Sequence, residues 1–571
     1  MKKTPNYPLY ETTVFRDFRV MTENVANRYP DRIAFTYKNS PHDAERVNVT
    51  YTEARERIRN LGTGLIALGC TDAHVAIIGE SSYDWVCFYF ALMSIGAVTV
   101  PLDKDLPGEE LTHILRTAEC SAVVFSHAVA EKIATIRPAL PDVKSWIAMG
   151  LGEASEVEQA IQAEALVRDG ASRFAAGDNR YYTYEIDPDR LASIVFTSGT
   201  TGQGKGVMLS TTNIVSDMTQ GMYNFAITPR TMCVLPPHHT FGSTVNFVGH
   251  FSQGSQIYIT SGIRYILGEL QEYHPTHLVL VPLFVETFSK RIWAAAEKQG
   301  KTKALKALMR FSNGLRRVGI DLRRTLFKSV LEPFGGDLHM IICGGAALNQ
   351  DIIDTFDAIG ITILNGYGIT ECAPLISCNR NEYQKNGSVG TPIIGEKVKI
   401  IDPDENGEGE IAVKGPNVML GYYKNPEATA AAFDEEGYFK TGDYGRLDED
   451  GWIYITGRLK NLIILSNGKN VYPEEIETEI TRIPGVNEVV VYAGVTDSGA
   501  SDIIVAEIYP DKEYLEQHGV TDLQRYFDAE VKKLNARSVP YKAVGKVRLR
   551  DEEFIKNTSK KIVRFKIDRH I

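Results

Sequence analysis

Residues 193–209 contain the densest set of anion-binding residue types in this chain of 571 residues. The apolar run 191–196 predicts a buried strand, and the residues after it are rich in Gly, Ser and Thr with a single lysine, Lys205. Glycines allow backbone N–H groups to point at an anion, hydroxyls add donors, and lysine adds positive charge. A flexible linker seldom leaves a buried strand with a lysine among its glycines. The segment therefore predicts a loop that binds phosphate groups.

The same loop is close to the P-loop pattern G-x-x-x-x-G-K-[ST], which it follows from Gly199 to Lys205. Gly206 stands at the last position, where a hydroxyl side chain would hold Mg²⁺, and residues 207–210 do not begin a clear helix. We therefore expect the loop to bind a nucleoside triphosphate in a different way from a Walker NTPase. A P-loop kinase or NTPase is the alternative of another class, and ADP as a product would favour it.

Two further segments carry candidate binding residues after apolar runs. Residues 343–348 are rich in Gly and Ala and follow a predicted strand, which is where ligands approach open α/β sheets. Residues 365–371 supply Tyr367, whose ring can stack on a base, and Glu371, whose carboxylate suits Mg²⁺. Together they predict a base-binding wall and a metal-binding carboxylate.

Three other segments add side chains that a nucleotide-dependent reaction uses. The pair 238–239 is two histidines within residues 231–263, a stretch without Asp, Glu, Lys or Arg that suits the lining of an apolar pocket. Asp443 offers a carboxylate for ribose hydroxyls, and Arg458 offers a guanidinium beside it. Residues 557–562 present lysines on a predicted loop. Each segment alone is weak evidence, whereas their combination and order are specific.

Taken together, these segments resemble the adenylate-forming superfamily of acyl-CoA synthetases, luciferases and peptide-synthetase adenylation domains. The resemblance covers about residues 20–566, nearly the whole chain. Its motifs are residues 197–206, 238–241, 366–371, 438–443, 457–461 and 558–562. Within the superfamily the chain is most similar to bacterial long-chain fatty acyl-CoA synthetases, on the segments 79–82, 96–103, 335–338 and 344–348.

The resemblance implies a two-step ligase that uses ATP, Mg²⁺ and coenzyme A. In the first step a fatty acid and ATP form acyl-AMP and pyrophosphate. The implied catalytic residues are Lys561, His239 and Thr370, and the implied metal ligands are Glu371 and Thr200. The implied ATP- and AMP-binding residues are Thr197, Ser198, Gly199, Thr200, Thr201, Gly202, Lys205, Gly344, Gly345, Ala346, Asn365, Gly366, Tyr367, Gly368, Asp443 and Arg458.

The second step implied by the resemblance transfers the acyl group to a thiol. The small domain turns about a hinge at Lys460, withdraws Lys561 and brings the Gly468 segment to the site. The terminal loop departs from the family pattern, because Lys560 stands where glycine usually precedes the catalytic lysine. Acyl carrier protein as the acceptor, and an aromatic or medium-chain acid as the donor, are alternatives within this chemistry. A non-catalytic nucleotide or lipid binder is a third class, disfavoured because the implied charged residues are all present.

Strands and helices alternate through most of the first 400 residues, which predicts an α/β protein with parallel sheets. Short strands with Gly, Asp and Asn turns follow residue 385, and a lysine-rich α+β segment ends the chain. With the resemblance, we expect a large N-terminal domain over residues 1–459 that binds ATP and the acid. It consists of two doubly wound subdomains and a small β unit. A mobile α+β C-terminal domain follows over residues 460–571.

The net charge of −10 is uneven along the chain. Residues 289–328 carry a net charge of +10 and residues 531–571 a net charge of +9. Two basic islands in an acidic protein favour anionic partners, although solvated helix faces give similar counts. Neither island interleaves aromatic residues with basic ones, so we expect no nucleic acid partner. A basic amphipathic stretch at residues 303–326 suits peripheral contact with an anionic membrane, whereas packing on the core is favoured for most of it.

The composition and the N-terminal residues favour a cytoplasmic protein, peripheral at most to the inner face of the membrane. The start lacks the apolar core of a secretory signal. The uncharged run 85–102 predicts a buried helix followed by a buried strand rather than a transmembrane helix, because it contains Gly96 and strand-forming residues. Seven cysteines without a C-x-x-C pair predict reduced thiols and no zinc site. The sequence leaves the oligomeric state open.

Overall fold

The structure is a computed structural model that describes residues 9–150, 157, 159–197, 204–227, 229–465, 469–496, 503–556 and 562–571. Two compact units divide the chain. The first comprises Met1–Lys397 and Lys414–Gly437, and the second comprises Val398–Val413 and Tyr438–Ile571. The predicted boundary between residues 459 and 460 falls inside the second unit, and the hinge assigned to it stays a prediction.

A mostly parallel sheet in the first unit, here called the first sheet, contains the two strands that flank residues 198–204. Its inner strands pair in parallel, whereas Lys205–Ser210 and Gly421–Tyr422 join one edge in antiparallel fashion. Across the sheet the strands are Gly421–Tyr422, Lys205–Ser210, Leu191–Thr197, Val98–Leu102, His74–Ile78, Ala122–Ser126, Ser145–Met149 and Ile161–Gln162.

The second sheet, also in the first unit, has a parallel centre as well, but strands join both of its edges in antiparallel fashion. Across it the strands are Thr391–Pro392, Leu375–Cys378, Thr362–Gly368, Met340–Cys343, His277–Leu280, Arg230–Cys233, Gln256–Ile259, Ile33–Tyr37 and Val47–Thr50. The predicted strands near residues 74, 122, 278 and 339 are confirmed, because apolar runs between helices are buried on both faces of a parallel sheet.

Helices connect and cover these strands. In the first unit they are Phe18–Arg28, Tyr51–Ala67, Tyr83–Ser94, Gly108–Thr117, Ala130–Ile136, Ala163–Ala175, Arg180–Thr183, Thr211–Met222, His250–Ser252, Ile266–Tyr273, Pro282–Lys298, Thr302–Arg317, Arg323–Leu326, Lys328–Leu331, Gln350–Ile359 and Pro426–Ala432. A π-helix spans Phe241–Gly249. Short 3-10 turns span His127–Val129, Arg137–Ala139, Ile263–Tyr265, Glu332–Phe334 and Thr370–Cys372.

Two of the helices begin at capping boxes that the sequence encodes. At Tyr51–Ala67 the Thr50 hydroxyl accepts a hydrogen bond from the Glu53 N–H, and the Glu53 carboxylate accepts one from the Thr50 N–H. Ser210 and Asn213 form the same arrangement at the start of Thr211–Met222. Each box satisfies backbone donors that the helix leaves open, so strand and helix are joined at a fixed point.

The second unit contains two smaller sheets. The third sheet consists of Lys397–Ile401, Gly409–Lys414, Phe439–Leu447 and Ile453–Arg458, and the fourth of Val486–Gly494, Ile503–Pro510 and Lys546–Leu549. Further elements are the strands Ile463–Ile464 and Asn470–Val471, the helices Pro473–Thr481, Lys512–Gln517 and Leu523–Asn535, and the 3-10 turns Leu459–Asn461, Pro540–Lys542 and Arg564–Lys566. The α/β class with a C-terminal α+β domain is thus confirmed.

The uncharged run 85–102 forms most of the buried helix Tyr83–Ser94 and the strand Val98–Leu102, as predicted. No helix in the described part of the chain is long and apolar enough to cross a membrane. All seven cysteines are buried and free of disulfides, also as predicted. In the basic stretch 303–326, Leu305 and Met309 pack in the core of the second sheet.

Candidate functional site

The predicted phosphate-binding loop closes a hairpin of the first sheet. Leu191–Thr197 and Lys205–Ser210 pair in antiparallel fashion, with Thr197 opposite Lys205 at the mouth of the loop. A Cβ atom at Gly204 would lie 2.5 Å from the Thr197 carbonyl oxygen, so a larger residue would not fit. The predicted ligands Ser198, Gly199, Thr200, Thr201 and Gly202 lie outside the described residues, and their roles stay predictions.

Tyr422 brings the lysine of this loop to the predicted metal-binding carboxylate. The Tyr422 hydroxyl donates a hydrogen bond of 3.0 Å to Glu371 Oε1, and Lys205 Nζ lies 4.7 Å from the centre of the Tyr422 ring. Burial and the charge of Glu371 raise the pKa of Tyr422 well above its ordinary value, so its hydroxyl stays a donor. One aromatic side chain thus contacts both the lysine predicted to bind phosphate and the carboxylate predicted to bind metal.

Hydrogen bonds from distant segments fix the turn that carries Thr370 and Glu371. The Met419 N–H donates to the Glu371 carbonyl oxygen at 2.8 Å. Asp217 Oδ1 accepts the Leu375 N–H at 2.7 Å, and Asn417 Nδ2 donates to the Leu375 carbonyl oxygen at 2.7 Å. The Thr370–Cys372 turn is therefore held from both sides without using the Glu371 carboxylate.

The predicted base-binding segments meet at the carboxyl ends of two neighbouring strands of the second sheet. Cys343 pairs with Asn365, so residues 344–346 follow one strand beside Gly366 on the next. A Cβ atom at Gly344 would lie 3.2 Å from the Gly366 carbonyl oxygen, and Gly345 has a φ of +90°, which favours glycine. These glycines therefore allow the segment 344–346 to approach the neighbouring strand closely.

Polar and aromatic groups line the same edge of the second sheet. Asn365 Oδ1 is buried without a hydrogen-bond partner in the described part of the chain, so it is open to a ligand donor. Tyr367 is buried on this strand. A Cβ atom at Gly368 would lie 2.1 Å from the Pro374 carbonyl oxygen, so the following turn can approach closely. The structure thus groups Gly344, Gly345, Ala346, Asn365, Gly366, Tyr367 and Gly368.

The histidine pair lies between the strand Arg230–Cys233 and the π-helix Phe241–Gly249. The rings of His238 and His239 lie 4.3 Å apart at 45°. The Ser243 N–H and hydroxyl both donate to the His239 carbonyl oxygen, at 2.8 and 3.1 Å. Nearly all of the π-helix is buried, and such helices often occur at functional sites. The sequence predicted an apolar lining here but not a π-helix.

In the second unit, Asp443 and Arg458 face each other across two strands of the third sheet. Arg458 Nε lies 2.7 Å from Asp443 Oδ1, and the Asp443 side chain is 3% exposed whereas that of Arg458 is 43% exposed. Lys460 lies in the 3-10 turn that follows. Gly468 and Lys561 lie outside the described residues, so their roles stay predictions.

Sequence reasoning did not identify Tyr422 or Asp217 as part of the site. Tyr422 lies in a two-residue strand that joins Lys205–Ser210 from more than 200 positions away, and Asp217 lies on a helix that resembles any buried helix. The aromatic pair 422–423 beside Gly421 is the sequence feature that could have drawn attention to Tyr422.

Comparisons with known proteins agree with this arrangement. The profile of the family described as AMP-binding enzyme matches residues 22–423. The chain is 28% identical over 563 residues to the long-chain-fatty-acid–CoA ligase FadD15 of Mycobacterium bovis, covering 92% of this chain and 90% of that protein. It is 30% identical to the chloroplastic long-chain-fatty-acid–[acyl-carrier-protein] ligase AEE15 of Arabidopsis thaliana, covering 82% and 73%.

Among solved structures, ATP-bound MatB from Rhodopseudomonas palustris matches with a TM-score of 0.74 at 25% identity, covering 96% of this chain and 98% of that one. The resemblance to adenylate-forming enzymes, and within them to long-chain fatty acyl-CoA synthetases, is confirmed.

Proposed function

This chain belongs to the AMP-binding enzyme family, and we propose that it joins long-chain fatty acids to coenzyme A through an acyl-AMP intermediate. It is an AMP-forming acid–thiol ligase, as its acyl-CoA ligase relatives indicate. The observation that carries the proposal is the contact of Tyr422 with both Lys205 and Glu371, since it holds a cation and a carboxylate at one phosphate-binding edge.

In the first step the fatty acid carboxylate attacks the α-phosphate of ATP, and pyrophosphate leaves. Negative charge gathers on the phosphates, so fixed cations and donors aimed at them lower the barrier. We assign Thr197, the loop and Lys205 to the β- and γ-phosphates, Thr370 to the α-phosphate, and the edge 344–346 with Tyr367 to adenine. His239 lines the carboxylate site, and Lys561 bridges carboxylate and α-phosphate.

Mg²⁺ fits the donor set of this edge. No group of three or more His, Cys, Asp or Glu side chains that could hold a metal occurs among the described residues. Mg²⁺ in nucleotide enzymes needs only one or two carboxylates, because water and substrate phosphates complete its shell. Glu371 supplies that carboxylate, with Thr200 as the predicted second ligand. When bound, the ion neutralises charge on the phosphates.

In the second step a thiol attacks the carbonyl carbon of acyl-AMP, and AMP leaves. We assign Asp443 and Arg458 to the ribose and its phosphate, the hinge to Lys460 and the thiol approach to the Gly468 segment. These four roles rest on the family resemblance.

Long-chain fatty acids are the proposed acids because curated relatives of that name match most of this chain. The charge-free stretch that contains the π-helix is consistent with an apolar acyl site. Acyl carrier protein is the alternative acceptor, since a relative named for it matches at 30% identity.

A panel of carboxylic acids, each offered with coenzyme A and with acyl carrier protein, tests substrate and acceptor together. Long-chain acyl-CoA as the fastest product supports the proposal. Faster thioester formation on the carrier protein would replace coenzyme A as the proposed acceptor. Faster formation with an aromatic or medium-chain acid would replace the proposed acid. Either result would leave the ligase mechanism unchanged.

We also propose that residues 302–324 contact an anionic membrane surface. Beyond the core-facing side of the helix Thr302–Arg317, four apolar side chains are exposed: Phe311 at 59%, Val318 at 72%, Ile320 at 47% and Leu322 at 42%. Exposed basic side chains surround them, namely Lys303, Lys306, Arg310, Arg317 and Arg324. Apolar side chains framed by cations suit an anionic lipid surface.

In residues 289–328 the described ion pairs involve Arg316 and Arg323, whereas acidic side chains of the same unit pair with more cations of the other basic island. Its ion pairs include Lys542–Glu475, Arg550–Glu507, Lys556–Glu488 and Arg564–Glu477. The matched variants are therefore Phe311→Ser with Val318→Ser, and Val539→Ser in the C-terminal island, where Val539 is 47% exposed.

Co-sedimentation with vesicles of phosphatidylserine and phosphatidylcholine tests the membrane contact. The double variant should lose most binding, the Val539 variant should keep it, and binding should weaken with salt and in pure phosphatidylcholine. Equal binding by both variants would contradict the proposal and leave the ligase assignment untouched.

A further inference from the structure

Asp103 is a buried carboxylate that the mechanism above does not use. It follows the strand Val98–Leu102 of the first sheet. Its Oδ2 lies 3.3 Å from His238 Nε2, and the two side chains are only 8% and 11% exposed. Its Oδ1 accepts the Asp105 N–H at 2.9 Å, which orients the carboxylate. The histidine loop, which belongs to the second sheet, is thereby joined to the first sheet.

His238 in turn contacts His239, the residue proposed to line the site of the acid substrate. The His238 ring packs on His239, and the His239 carbonyl oxygen accepts both bonds from Ser243. The turn is thus fixed at one end by the π-helix and at the other by Asp103.

Asp103 lies at the edge of the first sheet that leads to the predicted phosphate-binding loop, where the negative charge of an unpaired carboxylate would be unfavourable. Thr99 pairs with Ser193 in parallel, so the carboxyl ends of these neighbouring strands lie at the same edge of the first sheet. The second of these strands leads into the phosphate-binding loop through Thr197. A carboxylate at this edge would repel a triphosphate, and the nearby group that can oppose this repulsion is the imidazole of His238, whose Nε2 lies 3.3 Å from Asp103 Oδ2.

We propose that Asp103 is a positioning residue for the acid substrate. It orients His238, which holds the ring of His239 toward the carboxylate that becomes adenylated. This inference rests on the proposed function, in which His239 lines that site, and it adds two residues that act through His239 rather than touching ATP.

The Asp103→Asn variant tests this role, because it keeps the shape and removes the charge. The KM for the acid should rise about tenfold, the size expected for one charge-assisted contact, while the KM for ATP changes less than about twofold. Asp105→Asn is the matched control, since the Asp105 side chain is 65% exposed and pairs only with its neighbour Lys104 in the described part of the chain. Acid-dependent pyrophosphate release gives both constants.

A double-mutant cycle with His238→Gln separates positioning from a merely structural role. If Asp103 acts through His238, the double variant should be no worse than the more impaired single variant. Additive losses in acid KM, or equal rises in the KM for acid and ATP, would overturn the inference. Thermal unfolding of each variant identifies loss of fold, and if Asp103→Asn unfolds, the acid-to-ATP comparison is made on Asp103→Glu.

The outcome also separates this inference from the proposed function. A wild-type protein that releases no pyrophosphate with any acid would refute the function itself. A wild-type protein that does so, with the same acid KM in the Asp103→Asn and Asp105→Asn variants, would refute only the role of Asp103.

Discussion

Glu371 in the first unit and Asp443 in the second are both assigned to ATP, but their charges are compensated differently. Glu371 accepts a hydrogen bond from the neutral Tyr422 hydroxyl, and the described residues form no ion pair with it. Asp443 is paired with Arg458 at 2.7 Å and is almost fully buried. An uncompensated carboxylate attracts a cation, whereas a compensated one retains acceptor capacity for neutral hydroxyls. We therefore expect Glu371 to hold a metal ion and Asp443 to accept hydrogen bonds from ribose hydroxyls.

The largest effect should follow from removing the charge of Glu371. Glu371→Gln keeps an acceptor for Tyr422 but weakens the attraction for Mg²⁺, so kcat/KM should fall about 10²–10³-fold, as for other lost electrostatic groups. The Mg²⁺ concentration for half-maximal rate should rise. Steady-state rates across a Mg²⁺ titration give both values.

The chain offers a matched control for this substitution. Glu119 accepts a hydrogen bond from the hydroxyl of the next tyrosine, Tyr423, on the protein surface, and it also pairs with Lys424 at 2.9 Å. Glu119→Gln should leave the rate and the Mg²⁺ titration unchanged. An unchanged Mg²⁺ titration in Glu371→Gln would contradict the proposal that Glu371, unlike Asp443, binds the metal ion.

A smaller and different effect is expected at Asp443. Asp443→Asn leaves Arg458 unpaired and weakens the acceptor for the ribose, so the KM for ATP should rise about 10–100-fold without a change in Mg²⁺ dependence. The preference for ATP over 2′-deoxy- or 3′-deoxy-ATP should also shrink. Asp450→Asn, in the turn of the same hairpin, is the control. A shifted Mg²⁺ titration in Asp443→Asn would contradict the comparison.

A third carboxylate, Glu396, differs from both Glu371 and Asp443. In the described residues it has neither a hydroxyl donor nor a cationic partner. Both of its oxygens are buried without hydrogen-bond partners in the described residues, close against Gly415. Burial raises the pKa of Glu396 to about 8. Its folded pKa exceeds its unfolded value, so its contribution to stability is full below about pH 4.5 and is lost as pH rises through about 8.

Glu396→Gln mimics the protonated side chain at every pH. The variant should match the wild type near pH 4 and exceed its free energy of unfolding by about 3–5 kcal/mol above pH 8, because burial moves the pKa of Glu396 from 4.5 to about 8. Urea unfolding at the two pH values measures this, with the exposed Glu435→Gln as control. A variant that is less stable than the wild type at high pH would show that Glu396 functions as a charged group.

The sequence predicted what depends on local pattern. Apolar runs such as 74–78 and 122–126 became strands, and the Gly-rich segments fell at the carboxyl ends of strands, because burial and glycine geometry act over a few residues. The family resemblance supplied most site residues, since their order along the chain is itself a signal. The pairing of Asp443 with Arg458 was also within reach, as two strands of one hairpin face each other.

The rest depends on contacts between distant segments. Tyr422 reaches Glu371 from 51 positions along the chain, and the Asp103–His238 contact joins two sheets. The net charges of residues 289–328 and 531–571 are nearly equal. Among the described residues, acids of the folded unit pair with cations in both segments, and with more of them in 531–571. A local sequence pattern cannot predict these contacts, because the side chains that form them come together only when the sheets assemble.

The products of ATP turnover distinguish adenylate formation from phosphoryl transfer. The protein is incubated with ATP, Mg²⁺, coenzyme A and a long-chain fatty acid, and AMP, ADP, pyrophosphate and acyl thioester are quantified together. We predict AMP and pyrophosphate in amounts equal to the thioester, with no ADP. ADP and inorganic phosphate as the products would contradict adenylate formation and revive phosphoryl transfer at the Gly-rich loop.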